Sequence, residues 1–200
     1  LAGALIVGLG LLIGTNTTLA ADRPAAVVVP LPPFHGFYIG AGGGYAWGRL
    51  DTDTAAHLYA DGGFWTVTAG GDVQRGAHVF GVFVDYDMLS DFDAAAAPFA
   101  WQVDNILTVA GRVGWVWAPT AMWYGLGGWS WIHGSSPSET SGWTLGAGLE
   151  RLFHDNRWSL RLEYRYTDFD NATITGGTGD GGIQSVRAVV ALRFGVPRRF

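Results

Sequence analysis

The sequence predicts an all-β fold, an eight-stranded antiparallel up-and-down barrel that spans a membrane. Three observations carry this expectation. Large apolar residues recur at every second position in eight segments. In Trp158-Ser-Leu-Arg-Leu-Glu-Tyr-Arg-Tyr166 the even positions are large and apolar, and the odd ones are Ser159, Arg161, Glu163 and Arg165. A period of two is a strand with two unlike faces. Aromatic residues gather toward the segment ends, and the connections alternate between short and long.

The segments lie near residues 36–48, 62–73, 78–88, 100–117, 122–132, 142–152, 157–168 and 184–194. Pro98, Pro119, Pro137 and Pro197 fall between or after them, as paired strands without spare donors require. Gln74–Ala77, Ala118–Ala121 and Phe153–Asn156 read as tight hairpin turns. The stretches 49–61, 89–99, 133–141 and 169–183 read as longer loops rich in Gly, Ser and Asp. An even strand count with short turns at one end and long loops at the other matches a bacterial outer-membrane barrel. The short turns and both termini would face the periplasm.

One face collects aliphatic residues such as Ile39, Val67, Val82, Val84, Val103, Val113, Leu145, Leu162 and Val190. Trp47, Trp65, Trp101, Trp129, Trp131, Trp143 and Tyr166 fall toward the long-loop end of that face. Phe37, Trp115, Trp117, Trp123, Trp158 and Phe194 fall toward the short-turn end. Two aromatic girdles around an aliphatic belt are what membrane interfaces select, because an indole ring prefers the boundary layer. Residues 122–132 leave their own faces open, since Tyr124, Leu126 and Ile132 oppose Trp123, Trp129 and Trp131.

A soluble lipocalin-like barrel, its oily face turned inward around a ligand, shows the same alternation. The composition argues against it. Charged residues make up 14% of the chain, against roughly 25% in an average soluble domain. All 12 basic residues are arginine. The opposite face is also crowded with Gly40, Gly42, Gly44, Ala46, Gly146 and Gly148, which suits a narrow lumen. A net charge of -5 argues against a nucleic-acid partner, and the absence of cysteine excludes disulfides and thiolate metal sites.

Residues 1–21 read as a secretory signal peptide truncated at its start. The apolar run stops near Gly14, short of the ~20 residues a spanning helix needs, and small residues precede Asp22. Residues 22–35, with Pro24, Pro30, Pro32 and Pro33, read as an extended periplasmic tether. Residues 36–194 form the barrel, and 195–200 a tail.

Several stretches resemble a known family. Gly36-Phe-Tyr-Ile-Gly-Ala-Gly-Gly-Gly-Tyr-Ala-Trp-Gly48 is similar to the first strand of the small alphaproteobacterial outer-membrane barrels, the OmpA-like and opacity-like porin-family group. Gly142–Glu150 and Trp158–Asp168 resemble the sixth and seventh strands, and Val186–Phe194 the closing strand. The resemblance implies residence in the Gram-negative outer membrane. It also implies partners among outer-membrane lipids, lipopolysaccharide, the insertion machinery and envelope-protein neighbours. Such barrels usually end on an aromatic residue. Here Phe194 is followed by Gly195-Val-Pro-Arg-Arg-Phe200, so either Phe194 or Phe200 would serve as the insertion signal.

The polar face places Asp72, Asp85, Asp87, Asp104, Glu150 and Glu163 against Arg112, Arg161, Arg165, Arg187 and Arg193. The interior of an eight-stranded barrel is just wide enough for side chains to fill. Buried charges there must pair, and the planar fork of arginine suits that role. A salt-bridged, largely plugged lumen with a structural or surface role is therefore expected; a narrow, charge-lined pore for ions or small solutes is the alternative. The long loops are acidic, with Asp51, Asp53, Asp61, Asp91, Asp93, Glu139, Asp168, Asp170 and Asp180 against Arg49. They present either a repulsive surface or carboxylates for divalent cations bridging to lipopolysaccharide. His133 and Ser135 with Glu139 raise a third reading, a lipid A-modifying enzyme, but no oxyanion hole is identified. Gly177–Gly182 matches a dinucleotide fingerprint in letters only, with no helix following. No cofactor, metal site or catalytic set is expected.

Overall fold

The computed structural model describes residues 32–52, 57–96, 99–134, 139–174 and 177–195. The expected signal segment, most of the expected tether, Ser135 and Phe200 lie outside the described residues. Ten strands are formed among the described residues: β1 (Gly36–Thr52), β2 (His57–Arg75), β3 (His78–Ser90), β4 (Asp93–Ala96), β5 (Phe99–Gln102), β6 (Asn105–Ala118), β7 (Ala121–His133), β8 (Glu139–Phe153), β9 (Trp158–Ile174) and β10 (Gly177–Phe194). Eight of them close an antiparallel barrel in the circular order β1-β10-β9-β8-β7-β6-β3-β2. Each barrel strand pairs with the next barrel strand along the chain, β3 with β6 across the intervening β4–β5 pair, and β1 pairs with β10 to close the ring. Closure leaves the barrel sheet without an edge, which a lipid-exposed sheet requires.

Alternation decides which way the wall faces. Val67, Val82, Val113, Leu145 and Leu162 point out and are exposed, whereas Arg112, Glu150, Arg161 and Glu163 point in and are buried. A soluble barrel would show the reverse, so the lipocalin-like alternative is excluded. On β7, Tyr124, Leu126 and Ile132 are inside while Trp123 and Trp129 are exposed and Trp131 is half-buried, which resolves its ambiguous faces. Trp65 (70% exposed), Trp115, Trp117, Trp143, Trp158 and Phe194 are exposed, while Trp47 and Tyr166 are half-buried on the outer wall.

The short turns sit where the sequence places them. That between β8 and β9 needs no glycine, since His154, Asp155 and Asn156 adopt φ of 50°, 56° and 63°, a region short polar side chains tolerate better than most. The long loops differ from expectation. The β1–β2 ladder runs on to Asp51↔His57, and the β9–β10 ladder to Ile174↔Gly177. Inward Leu50, Leu58 and Ala60 carry the alternation past the girdle. The expected loops at 49–61 and 169–183 are therefore mostly strand extension, whereas 89–99 carries β4 and the start of β5.

The segment expected as one strand over 100–117 divides in two. Its first part pairs with β4 as a small hairpin, and the barrel strand β6 begins only at Asn105. This overturns three assignments. Trp101 is no girdle residue: it is 1% exposed, packed edge-on to Phe92 at 5.4 Å and beside Phe169 at 6.1 Å. Val103 is buried, not lipid-facing. Asp104 lies outside the lumen with its side chain exposed. The physical reason is local. The link between hairpin and strand crosses the barrel end, where Val103 N donates to Phe92 O, Asp104 N donates to His133 O, and Asp104 O accepts from Leu89 N. Alternation no longer sets direction once the ladder has ended.

Candidate functional site: a charge network across the lumen

Inward-facing charges divide into two layers. In the lower layer, toward the short turns, Arg112 holds Asp72 in a two-pronged bond (Nε to Oδ1 at 2.9 Å, Nη2 to Oδ2 at 2.5 Å) and donates through Nη1 to Glu150 Oε2 at 2.8 Å. Arg193 closes the figure, donating to Glu150 Oε1 at 2.8 Å and Asp72 Oδ2 at 2.6 Å. The result is a ring of two carboxylates and two guanidinium groups. Its members come from β2, β6, β8 and β10, alternate strands of the barrel order, so the ring spans the lumen cross-section.

The upper layer is an open chain. Arg161 lies 3.8 Å from Glu163, which accepts from Arg165 Nε at 2.9 Å. Arg165 Nη2 donates to Asp85 at 2.5 Å, and Arg187 clasps Asp87 with two bonds of 2.9 Å. This chain joins β9 to β3, which stand opposite one another in the barrel order. With Asp104 outside, the buried charges among the described residues are Asp72, Asp85, Asp87, Glu150 and Glu163 against Arg112, Arg161, Arg165, Arg187 and Arg193. Acids and bases balance, as burial in low dielectric demands.

Aromatic rings, which the sequence reading did not assign to the lumen, hold the network in place. The Tyr38 ring lies 4.9–5.1 Å from the guanidinium carbons of Arg112, Arg161 and Arg193. Phe83 supports Arg165 and Phe64 supports Arg187. Such contacts strengthen when desolvated. Tyr124 donates to Glu163 Oε1 at 2.5 Å, linking the layers. Small residues make the room. A Cβ at Gly81 would meet Asp72 Oδ1 and lie 3.2 Å from Arg112 Cγ.

Both ends of this charged zone are stoppered. Below, Phe34 from the predicted tether is fully buried with Val79, Met122 and Leu152. Its carbonyl accepts from Arg193 Nη2 at 2.8 Å and its N–H donates to Gln74 Oε1 at 3.0 Å. His35 N donates to Pro32 O, so the last tether residues form a turn, and Gly36 at φ 122° leads the chain from it into β1. Above the charges, Thr108, Ser130, Thr144 and Thr167 join β6 to β9 through hydroxyl contacts of 2.6–2.8 Å. Beyond them Leu50, Leu58, Phe92, Trp101 and Phe169 fill the upper end. A cavity of about 20 Å³ among Asp87, Thr108, Arg165 and Arg187 is room for about one water.

The other candidates do not assemble. His133 and Glu139 approach to 3.7 Å in the open, while Ser135 lies outside the described residues. No cluster of three or more potential metal-ligating residues forms among the described residues. On the outer surface, beyond the aromatic band, Arg49 donates to Asp51 at 2.6 Å. That bond holds the Asp51 carboxyl below the usual carboxylate range.

Residues 18–194 match the family model for the outer membrane protein beta-barrel domain. The chain belongs to this family. Among its relatives, the 22 kDa outer membrane protein of Rhizobium leguminosarum bv. viciae is 33% identical over 156 residues, covering 73% of this chain and 69% of the relative. The 31 kDa outer-membrane immunogenic protein of Brucella melitensis is 29% identical over 196 residues, covering 76% and 81%. Among solved structures, Neisserial surface protein A aligns with a TM-score of 0.49 and 15% identity over 80% of this chain and 97% of that one. As a member of the family, the protein is an outer-membrane barrel.

Proposed function

We infer that this outer-membrane barrel has a structural and surface-display role, with a non-conducting lumen and no enzymatic activity. The observation that carries the reading is the Asp72–Arg112–Glu150–Arg193 ring, which crosses the lumen between apolar stoppers. A conduit needs groups that bind its cargo weakly and release it. Here every charged group in the ring is already engaged by its opposite. The short turns and termini face the periplasm, and the extended β1–β2, β7–β8 and β9–β10 hairpins project outward with the acidic residues.

The chain contains no cysteine, so single-cysteine labelling tests the orientation directly. Asp93→Cys should react in intact cells with a polymer-bearing maleimide too large to pass porins. Arg75→Cys, on a short turn, should react only after the outer membrane is breached. Labelling of Arg75→Cys in intact cells would reverse the orientation. Reconstituted liposomes should show no osmotic swelling with small sugars, and swelling would replace this reading by that of a porin.

A further inference from the structure

The β1–β10 ladder is the seam of the barrel, the pairing that joins the two ends of the sheet. Its strands are the first and the last along the chain, so it closes the largest loop and carries the largest entropic cost of closure. At the short-turn end its first rung is Phe37↔Phe194. Gly36, at φ 122°, lies just before that rung, where the chain passes from the barrel mouth into β1. A Cβ there would meet the Phe194 carbonyl, so the chain runs hard against the seam.

Phe34, two residues earlier, is held from both flanks of β1. Its N–H donates to Gln74 Oε1 on β2 at 3.0 Å, and its carbonyl accepts from Arg193 Nη2 on β10 at 2.8 Å. In the barrel order β1 lies between those two strands, so the two bonds form a clasp across it. The Arg193 guanidinium carbon also sits 5.7 Å from the centre of the Phe34 ring. The same Nη2 donates to Asp72 Oδ2 at 2.6 Å, which ties the clasp to the charge ring. The apolar surroundings of Phe34 draw Val79 from β3, Met122 from β7 and Leu152 from β8. Clasp and pocket together run from β7 through β10 and β1 to β3, across the seam. The seat for Phe34 is therefore complete only once the two ends of the sheet have met.

We propose that residues 32–36 are a latch that seats after the β1–β10 seam has zipped and then holds it shut from inside. Contacts made after the folding transition state slow unfolding and leave the folding rate nearly untouched. The latch also sets where force goes. A pull on the chain ahead of Pro32 loads Phe34 and its clasp before it reaches the first rung of β1. The latch is independent of whether the lumen conducts and of which way the barrel faces.

Because the chain has no cysteine, one engineered disulfide can seal the seam. Ala41 and Val190 pair across it and are both exposed on the outer wall. Directly opposed strand residues lie about 4.5–5.5 Å apart between Cα atoms, within disulfide reach. The full chain carrying Ala41→Cys and Val190→Cys is refolded into lipid vesicles. Its folding and unfolding rates in urea are read from the heat-sensitive gel shift, with the pair reduced or oxidised. In the reduced form Phe34→Ala should speed unfolding about a hundredfold and change the folding rate by less than about twofold. In the oxidised form that acceleration should shrink to about tenfold, because a sealed seam no longer needs its latch. Leu126→Ala, a buried truncation on β7, should speed unfolding by the same factor in both forms. Gln74→Leu removes half of the clasp and leaves the Phe34 side chain in place. It should repeat the Phe34→Ala pattern at about tenfold in the reduced form, and it decides the matter if Phe34→Ala does not fold. An acceleration that oxidation leaves unchanged would make Phe34 an ordinary core residue and overturn the proposal. Folding slowed as much as unfolding is sped would place the docking of Phe34 ahead of seam closure, and would overturn it equally.

Discussion

Asp104 and Glu150 are both acids at inward-phase positions of predicted strands, yet they belong to different environments. Glu150 accepts from Arg112 and Arg193 with its side chain wholly buried, whereas Asp104 sits in the crossing link, exposed. Removing one partner of a buried pair leaves an uncompensated charge, so Glu150→Ala should cost about 3–5 kcal/mol in urea unfolding from lipid vesicles. Asp104→Ala should stay within about 0.5 kcal/mol in the same assay. Gly81→Ala pushes a methyl group into Asp72 and should cost about 1–3 kcal/mol. Ten inward charges were legible from strand parity alone. Asp104 was not, because parity carries no information about where a ladder stops. Nor were Tyr38, Phe64 and Phe83 legible as guanidinium supports, since alternation marks them as inward without saying which arginine lies above.

At the scale of elements, the barrel strands follow from the period of two, and the departures occur where a short segment leaves the barrel. The β4–β5 hairpin continues the apolar rhythm of residues 100–117, so one run of alternation conceals two elements with different neighbours. Phe34 follows Pro32 and Pro33 and reads as tether; its burial depends on Gln74 and Arg193, 40 and 159 residues away. A lone aromatic between a proline pair and the first strand glycine was the available signal. Phe34→Ala and Trp101→Ala should each destabilise the barrel by about 3–5 kcal/mol, as core truncations do. Trp65→Ala, on the exposed outer wall, should cost clearly less, and the midpoint of the heat-sensitive gel shift ranks the three variants.

At the scale of the whole molecule, the two faces of every strand are solved by two solvents. The outer wall is apolar because lipid surrounds it, and the lumen can be charged only because its acids and arginines balance. Buried pairs are screened little by salt, so the urea midpoint should hold nearly constant between low salt and 1 M salt. Sequence parity revealed the charge inside but not its partition into a ring and a chain, which depends on barrel closure bringing β2, β6, β8 and β10 to one level. Single-channel conductance of the refolded barrel in a planar bilayer tests the closed lumen most directly. The wild type should show no steady openings, and Glu163→Ala should remain silent because Phe34 and Trp101 still stopper both ends. Reproducible wild-type openings that grow after Glu163→Ala would show that the charge network is a gate, and would contradict a lumen closed by its own ion pairs.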